Sequence, residues 1–137
     1  MSADCVFCKI VNKDLPAEII YEDEDVMAFL DISPVNKGHS LVIPKEHFEN
    51  SLETPDDTLV KMIKVVKKVV IAVKDATNAE GINIGVNNGK AAGQMIFHTH
   101  WHVIPRYTGD GKKIWDSGQY ESDEEAGKYA RDIRAKL

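Results

Sequence analysis

The sequence has few cysteines, no long apolar run and no excess of positive charge. Two cysteines in 137 residues are too few for a disulfide scaffold. No apolar run approaches the roughly 18 residues that a membrane span needs, and the first residues do not resemble a signal peptide. The formal net charge of -5 argues against broad binding to DNA or RNA, although a local site for one phosphate ester is compatible with it. We therefore expect a soluble, cytoplasmic protein that binds neither a membrane nor polymeric nucleic acid.

Composition and patterning indicate a single domain over residues 1–137. Hydrophobic residues make up 43% of the chain, which is enough for one core without disulfides. No internal repeat, low-complexity tract or linker rich in proline and glycine divides the sequence. We expect no second domain.

Hydrophobic patterning predicts five strands. Apolar runs at 19–21 and 26–30 flank an acidic turn, as in a β-hairpin, and "SLVIP" at 40–44 follows a segment with turn chemistry. "GINIGVNNG" at 81–89 and "MIFHTHWHVIP" at 95–105 predict two more strands, joined by a loop that contains glycine. With helices after the third and fifth strands, this order favours an antiparallel meander sheet with helices to one side, an α+β fold.

Two helices are predicted from their start signals and apolar spacing. The first has Thr54 as its capping residue and Pro55 at its first helical position. Its apolar stripe is Leu59, Ile63, Val66, Val70 and Val73. The second helix starts at Ser122, and Glu125 completes a capping-box pattern. Its apolar positions are Ala126, Tyr129, Ile133 and Leu137.

Three of the five histidines alternate in "HTHWHVIPR", residues 98–106. On a strand, His98, His100 and His102 would share one face, about 6.6 Å apart by strand rise. That spacing fits poorly to one tetrahedral metal, whose histidine nitrogens lie about 2.0 to 2.1 Å from the ion. The alternative is a set of ordinary histidines on a strand. Three of them beside a glycine-bearing loop favour catalysis instead, because a neutral imidazole is a competent nucleophile towards phosphorus.

The motifs together resemble the histidine triad (HIT) family of nucleotide hydrolases and transferases, in particular its zinc-containing bacterial-type branch. "HTHWHVI" matches the triad pattern, and "CVFCKIV", "YEDEDVMAFLDISPVNKGHSLVIPKEH" and "NNGKAAGQ" precede it in family order. The resemblance covers about residues 5–106 and leaves a tail with a helix at 107–137. It implies a HIT-like fold, a homodimer and cleavage of nucleoside monophosphate conjugates. Such a reaction depends mostly on positioning and on donors around the phosphate, so we expect no requirement for magnesium.

The resemblance also implies a role for each histidine of the triad. His100 would attack the α-phosphorus and form a nucleotidyl-histidine intermediate, which water then hydrolyses. His102 would contact the phosphate and assist the leaving group. His98 would orient the neighbouring groups, with His39 close behind it. Gln94 is implied as an amide donor near the reacting phosphate.

Further positions are implied to bind the substrate. Asp31 matches a residue that takes the ribose hydroxyls, with Ile32 beside the nucleoside; the alternative for Asp31 is a turn aspartate. The implied phosphate loop consists of Asn87, Gly93, Gln94 and Met95. Many family members have a hydroxyl residue where this chain has Met95, so a backbone N–H would have to serve there. Apolar candidates for the base pocket are Phe7, Ile10, Leu15, Phe29 and Leu41.

The C-x-x-C spacing of Cys5 and Cys8 is typical of a metal pair or a redox dithiol. The resemblance implies a structural zinc ion bound by these two thiolates, His47 and His98, a closed shell without an open position. The alternatives are two ordinary thiols and a redox pair, and the sequence lacks the βαβ context that would favour the latter.

Three functions stay open at this point. The first is a hydrolase for adenosine phosphoramidates or similar adenylates, and the second is a hydrolase for dinucleoside polyphosphates such as diadenosine tetraphosphate. The third is a nucleotide-binding interaction protein with weak incidental hydrolysis. Trp115, in the tail, is expected at a dimer interface, over the active site, or partly exposed on a loop.

Overall fold

The computed structural model describes residues 4–137 and forms one five-stranded antiparallel sheet with helices packed on it. The strands are β1 (Ile19–Glu22), β2 (Val26–Leu30), β3 (Ser40–Pro44), β4 (Gly81–Gly85) and β5 (Trp101–Arg106). The helices are α1 (Val6–Val11), α2 (Asp56–Thr77) and α3 (Asp123–Arg134), and Lys90–Ala92 forms one turn of 3-10 helix. The expected α+β fold is confirmed.

The sheet order is β1-β2-β3-β5-β4. The first three strands form a meander, and α2 then carries the chain to the edge strand β4. The chain returns with β5 between β4 and β3, so β5 is hydrogen-bonded on both sides. This central position fixes the backbone of β5, and with it the end of the histidine triad.

Two predicted strands are shorter in the structure than in the sequence pattern. The strand expected at 95–105 begins only at Trp101, and the strand expected at 81–89 ends at Gly85. Before Trp101 the chain leaves the sheet, because the N–H of Thr99 donates to the carbonyl of Phe48 at 2.8 Å rather than to a neighbouring strand. Two of the three triad histidines therefore precede the strand.

The helices differ from their predicted form in three details. Pro55 is the residue that precedes α2, and Thr54 does not cap this helix, since its hydroxyl donates to the carbonyl of Asn50 at 2.8 Å. The apolar stripe of α2 is rotated, and Ile63 is 46% exposed. The residues of α2 that are buried are Met62, Val65, Val66, Val69, Ala72 and Val73. The six-residue helix α1 was not predicted.

The predicted cap of α3 by Ser122 is confirmed, whereas Glu125 bonds to the N–H of Glu121 rather than to that of the cap residue. Ser122 Oγ accepts from the N–H of Glu125 at 3.1 Å. The Glu125 carboxylate accepts from the N–H of Glu121 at 2.8 Å and from Lys37 Nζ at 3.0 Å. The start of α3 is thereby tied to the loop that joins β2 and β3.

The sheet separates two apolar clusters. Val26, Ala28 and Leu30 of β2 pack with α2 and α3, whereas Met27 and Phe29 of the same strand face the side covered by α1. The strand is therefore buried on both faces. The smaller cluster contains Phe7, Ile10, Met27, Phe29, Leu41 and Ile43, and it forms the floor of a cleft described below. Within residues 4–137, no helix is long and apolar enough to cross a membrane.

The loop from residue 33 to 38 is held against the C-terminal part of the chain. The Asn36 side-chain amide donates to the carbonyl of Pro105 at 2.9 Å, and the N–H of Gly38 donates to the Tyr120 hydroxyl at 2.9 Å. Gly38 has φ 99°, and a Cβ built there would lie 2.8 Å from Thr77 Cγ2. Only glycine fits this position without strain.

Gly38→Ala is expected to lower the free energy of unfolding by about 1 to 3 kcal/mol, because it combines a positive φ with a steric overlap. Gly81→Ala is the matched control, since its φ is ordinary and nothing lies within 4 Å of a Cβ there; it should change that free energy by less than about 0.5 kcal/mol. Urea unfolding of both variants at equal metal content measures the difference. Equal stabilities would contradict the proposed constraint at Gly38.

Candidate active site and metal centre

A cleft of about 850 Å³ opens on the α1 side of the sheet. Its floor is apolar and contains Phe7, Ile10, Phe29 and Leu41 of the smaller cluster, with Leu15 at the wall. The structure brings most of the remaining predicted substrate residues to the same cleft: Asp31, Ile32, His39, Asn87, Gly93, Met95, His100 and His102. Positions from four separate segments of the sequence thus meet around one cavity.

His100 has one ring nitrogen engaged and one available. Its Nδ1 lies 2.8 Å from the carbonyl oxygen of His98. A carbonyl only accepts, so Nδ1 carries the proton and Nε2 holds an electron pair. No described residue is hydrogen-bonded to Nε2, and the ring lines the cleft. Phe7 packs edge-on against this ring, with centroids 5.1 Å apart.

His39 and His102 form a proton-donor chain. The N–H of Val35 donates to His39 Nδ1 at 3.0 Å, so the proton of this imidazole is on Nε2. His39 Nε2 lies 2.9 Å from His102 Nδ1 and donates to it. The remaining nitrogen of His102, Nε2, must then carry a proton. The backbone of Val35 thereby determines that His102 is a hydrogen-bond donor at its Nε2.

Burial keeps these imidazoles neutral. It lowers the pKa of His39, His100 and His102 below the ordinary value, and the nearby imidazoles lower those of His39 and His102 further. A ring that is neutral has one donor and one acceptor nitrogen, as the assignments above require. The rings of His100 and His102 have centroids 5.1 Å apart, so an acceptor and a donor lie side by side.

Asp31 makes the turn interaction that its sequence context allowed, and it also lines the cleft. One carboxylate oxygen accepts from the N–H of Ser33 at 2.8 Å, which is the turn interaction. The other oxygen lies 3.5 Å from His39 Nε2 and lines the cleft. Burial raises the pKa of this carboxyl group. Ile32, next to it, is 87% exposed at the rim of the cleft.

Gln94 differs from its predicted role as a donor to the substrate. Its side chain is buried and does not line the cleft. Its Nε2 donates to the carbonyls of Glu49 at 2.5 Å and Ile96 at 3.0 Å, and its Oε1 accepts from the N–H of Gly89 at 2.8 Å. The amide therefore holds the loop together from inside, because its capacity is taken by backbone groups.

The rest of that loop faces the cleft. Gly93 has φ 93°, and a Cβ there would approach the Asn87 side-chain amide to 3.4 Å. The Met95 side chain is 85% exposed and offers no hydroxyl. Its backbone N–H has no hydrogen-bond partner among residues 4–137.

Cys5, Cys8, His47 and His98 form a compact cluster beside the cleft, with all four ligand atoms within 4.8 Å of one another. Cys5 Sγ and Cys8 Sγ lie 3.4 and 3.5 Å from His98 Nδ1, and Cys8 Sγ lies 3.3 Å from His47 Nδ1. Tetrahedral zinc with ordinary bond lengths requires sulfur-to-nitrogen separations of roughly 3.5 Å. The donor set and its spacing are therefore compatible with zinc.

The hydrogen bonds that the candidate ligands make with the surrounding backbone are also compatible with a metal. His98 Nε2 donates to the carbonyl of Pro44 at 2.7 Å, which leaves the electron pair on Nδ1, towards the sulfur atoms. The N–H of Cys8 donates to Cys5 Sγ at 3.3 Å, at the start of α1. Thus α1, the loop after β3 and the segment before β5 converge on the four side chains.

Trp115 is a residue of the cleft whose position the sequence left open. Its ring packs edge-on against His102, with centroids 4.9 Å apart, and it remains 45% exposed. Two of the three positions considered for it therefore apply together, over the cleft and partly exposed on a loop, and a position at a dimer interface stays a prediction. The only signal in the sequence was an aromatic residue within a polar tail.

Comparisons with known proteins agree with this geometry. The model of the HIT domain family matches residues 12–109. An uncharacterized HIT-like protein of Methanocaldococcus jannaschii is 54% identical over 110 residues, 80% of this chain and 84% of the relative. The adenosine 5'-monophosphoramidase hnt1 of Schizosaccharomyces pombe is 43% identical over 74% of both chains. The adenylylsulfatase HINT3 of Arabidopsis thaliana is 47% identical over 75% of this chain and 52% of its own length.

One of the similar solved structures contains zinc. The zinc-bound histidine triad family protein of Mycobacterium smegmatis superposes with a TM-score of 0.86 at 42% identity, over 96% of this chain and 94% of that one. The sequence motifs, the fold and the arrangement of the cleft lead to one family. This chain is a member of the HIT domain family.

Proposed function

We propose that this protein hydrolyses nucleoside monophosphate conjugates, adenosine phosphoramidates or related adenylates, through a nucleotidyl-histidine intermediate on His100. The observation that carries the proposal is the pair of adjacent rings in the cleft, where His100 Nε2 holds an electron pair and His102 Nε2 holds a proton. The names of two relatives, an adenosine 5'-monophosphoramidase and an adenylylsulfatase, support the same class of substrate.

The nucleoside would lie over the apolar floor, because an aromatic base favours apolar walls with few polar groups. Phe7, Ile10, Phe29 and Leu41 supply those walls, and Leu15 lies at their edge. The second carboxylate oxygen of Asp31, which makes no bond to the turn, would accept from the ribose hydroxyls. The Met95 N–H and the Asn87 amide then remain for the phosphate oxygens.

In the first step, His100 Nε2 forms a bond to the α-phosphorus and the bond from phosphorus to the leaving group breaks. The leaving atom keeps the bonding electrons and takes the proton of His102 Nε2, so that His102 becomes an anionic imidazolate beside the positively charged ring of His100, which now carries the phosphorus. The carbonyl of His98 stabilises the positive charge that develops on His100, because it accepts from Nδ1–H. Burial favours this hydrogen bond over solvation by water.

In the second step, water attacks the same phosphorus. His102 Nε2, now without its proton, takes one from the water, and the bond to His100 breaks. The nucleoside monophosphate leaves and both imidazoles return to their initial forms. Two displacements at one centre replace one difficult attack by water on the original conjugate.

We further propose that Cys5, Cys8, His47 and His98 bind zinc. A closed shell of two sulfur and two nitrogen ligands makes zinc a structural ion that joins α1 to the segment before β5. The ring of His98 would bind the metal, and the carbonyl of His98 would orient the ring of His100. A homodimer, a cytoplasmic location and independence from magnesium stay predictions of the sequence.

His100→Ala is expected to lower kcat on adenosine 5'-phosphoramidate by at least about a thousandfold, because the nucleophile is lost. AMP should still bind within about threefold of the wild-type Kd, since the pocket walls are kept. Turnover assays and calorimetry measure the two quantities. Mass spectrometry of rapidly denatured wild type should find the nucleotidyl group on His100. Near-wild-type turnover by the variant would refute the nucleophile, and tight nucleotide binding by a wild type without turnover would favour the interaction protein instead.

The proton chain predicts the tautomers and the pH behaviour of its histidines. Nitrogen NMR should show a proton on Nδ1 of His100 and on Nε2 of His39 and His102. Because burial lowers the pKa of His39 and His102, neither ring should gain a second proton between about pH 7 and about pH 5. The folded state then binds fewer protons than the unfolded state, so these groups make stability fall as the pH drops below about 6.5. Protonation of His39 near pH 6.5 would contradict the chain.

Protein purified without added metal is expected to contain about one equivalent of zinc, and Cys8→Ser should contain less than about a tenth. His39→Gln is the control, because it removes a buried imidazole outside the cluster. Metal analysis by mass spectrometry, with circular dichroism to verify folding, decides between these outcomes. Folded wild type with less than about a tenth of an equivalent would rule out a structural zinc site.

A further inference from the structure

The two cysteines of the sulfur and nitrogen cluster differ in their access to solvent. Cys8 is 1% exposed, whereas Cys5 is partly exposed and lines an open cavity of about 640 Å³. His47 lines the same cavity, and Cys5 does not line the substrate cleft. A small solute would therefore meet the sulfur of Cys5 from this cavity, with Cys8 behind it.

The two sulfur atoms lie close enough to react with each other. They belong to the four ligand atoms that lie within 4.8 Å of one another. Cys5 caps the start of α1, and the N–H of Cys8 donates to its Sγ at 3.3 Å, so both residues belong to one helical turn. The same C-x-x-C spacing supports the reversible disulfides of thiol oxidoreductases. A disulfide between Cys5 and Cys8 is therefore within reach of this conformation.

Phe7, which lies between the two cysteines in the sequence, connects them to the catalytic row. Its ring is 4% exposed and packs edge-on against the rings of His98 and His100, with centroids 5.9 and 5.1 Å apart. A rearrangement of the first turn of α1 would therefore displace a ring that contacts the proposed nucleophile.

His98 provides a second connection. Its Nδ1 lies 3.4 Å from Cys5 Sγ and 3.5 Å from Cys8 Sγ, and its carbonyl accepts from Nδ1 of His100. With zinc bound, the two thiolates and His47 would hold the ring of His98 in place through the shared ion. A structural zinc ion has four protein ligands, and the thiolate is the form of cysteine that binds it. A disulfide would leave only two imidazoles, which are too few to retain the ion.

We propose that Cys5 and Cys8 form a redox switch: a peroxide converts them to a disulfide, zinc is released and turnover at His100 falls. This inference rests on the proposed function and on the proposed zinc site. Cys5 Sγ forms a bond to one oxygen of hydrogen peroxide, the oxygen–oxygen bond breaks, and the departing hydroxide takes a proton and becomes water. Cys8 Sγ then forms a bond to Cys5 Sγ, the sulfur–oxygen bond breaks, and a second hydroxide takes a proton and leaves as water. The two sulfur atoms lose two electrons in total, the peroxide gains them, and zinc leaves with its charge unchanged.

The test treats zinc-loaded protein with an excess of hydrogen peroxide and follows zinc, mass and turnover. A chromogenic chelator should detect about one equivalent of released zinc, and the mass of the denatured chain should fall by about two hydrogen atoms. In parallel, kcat on adenosine 5'-phosphoramidate should fall at least about fivefold. Dithiothreitol with added zinc should restore both zinc content and kcat, because it reduces a disulfide but not a methionine sulfoxide.

Cys5→Asp is the variant that separates the switch from other oxidation, because a carboxylate can bind zinc but cannot form a disulfide. Peroxide should change its zinc content and its kcat by less than about twofold. Met95→Leu is the control, since Met95 is 85% exposed and lines both cavities. This variant should respond to peroxide as the wild type does.

An equal response of Cys5→Asp would show that the sensitivity lies elsewhere and would overturn the switch. In the wild type alone, zinc release without a disulfide, a disulfide without a fall in kcat, or no disulfide at all would overturn it as well. Wild type that does not turn over the phosphoramidate before treatment would instead refute the proposed function. Zinc release and mass do not depend on turnover, so the two failures are distinguishable.

Discussion

The hydrogen bond from His100 Nδ1 to the carbonyl of His98 is the interaction on which the rest of the site depends. It determines which nitrogen of His100 holds the electron pair. It also requires that the chain leave the sheet before Trp101, because a carbonyl engaged in a β ladder would point to a neighbouring strand. The ring of His98 turns away from the cleft, with Nδ1 towards Cys5 and Cys8. One residue therefore connects the sulfur and nitrogen cluster to the ring of His100.

Burial gives the histidines their chemistry. A charged imidazole loses hydration in this environment, so the neutral form is favoured, and a neutral ring has distinct donor and acceptor nitrogens. Backbone groups then determine which ring nitrogen carries the proton. The Val35 N–H does so at His39, and the His98 carbonyl does so at His100. No carboxylate is needed to orient the rings, since fixed peptide groups do so. Asp31, 3.5 Å from His39 Nε2, stays available for another partner.

The sequence carried enough information for the fold class, the five strands and the residues of the cleft, because alternating apolar positions and spaced histidines are local patterns. It failed where a partner distant in the chain decided the outcome. The strand pattern continues through 95–105, yet Thr99 lies outside the sheet because its N–H donates to the carbonyl of Phe48. The side-chain amide of Gln94 was predicted to donate to the substrate, but it is hydrogen-bonded to the backbone of Glu49 and Gly89. Neighbouring valines in α2 allowed more than one apolar face, and α1 is too short to show a periodicity.

The segment that matches the HIT domain ends at residue 109, whereas Trp115 lies beyond it. The histidine row and the wall at its end are thus contributed by separate parts of the gene. Exchange of the tail would alter that wall without replacing a residue of the row, as long as the contacts at Pro34 and Gly38 are kept. In this chain the wall at the end of the row can therefore change without a change in the three histidines themselves.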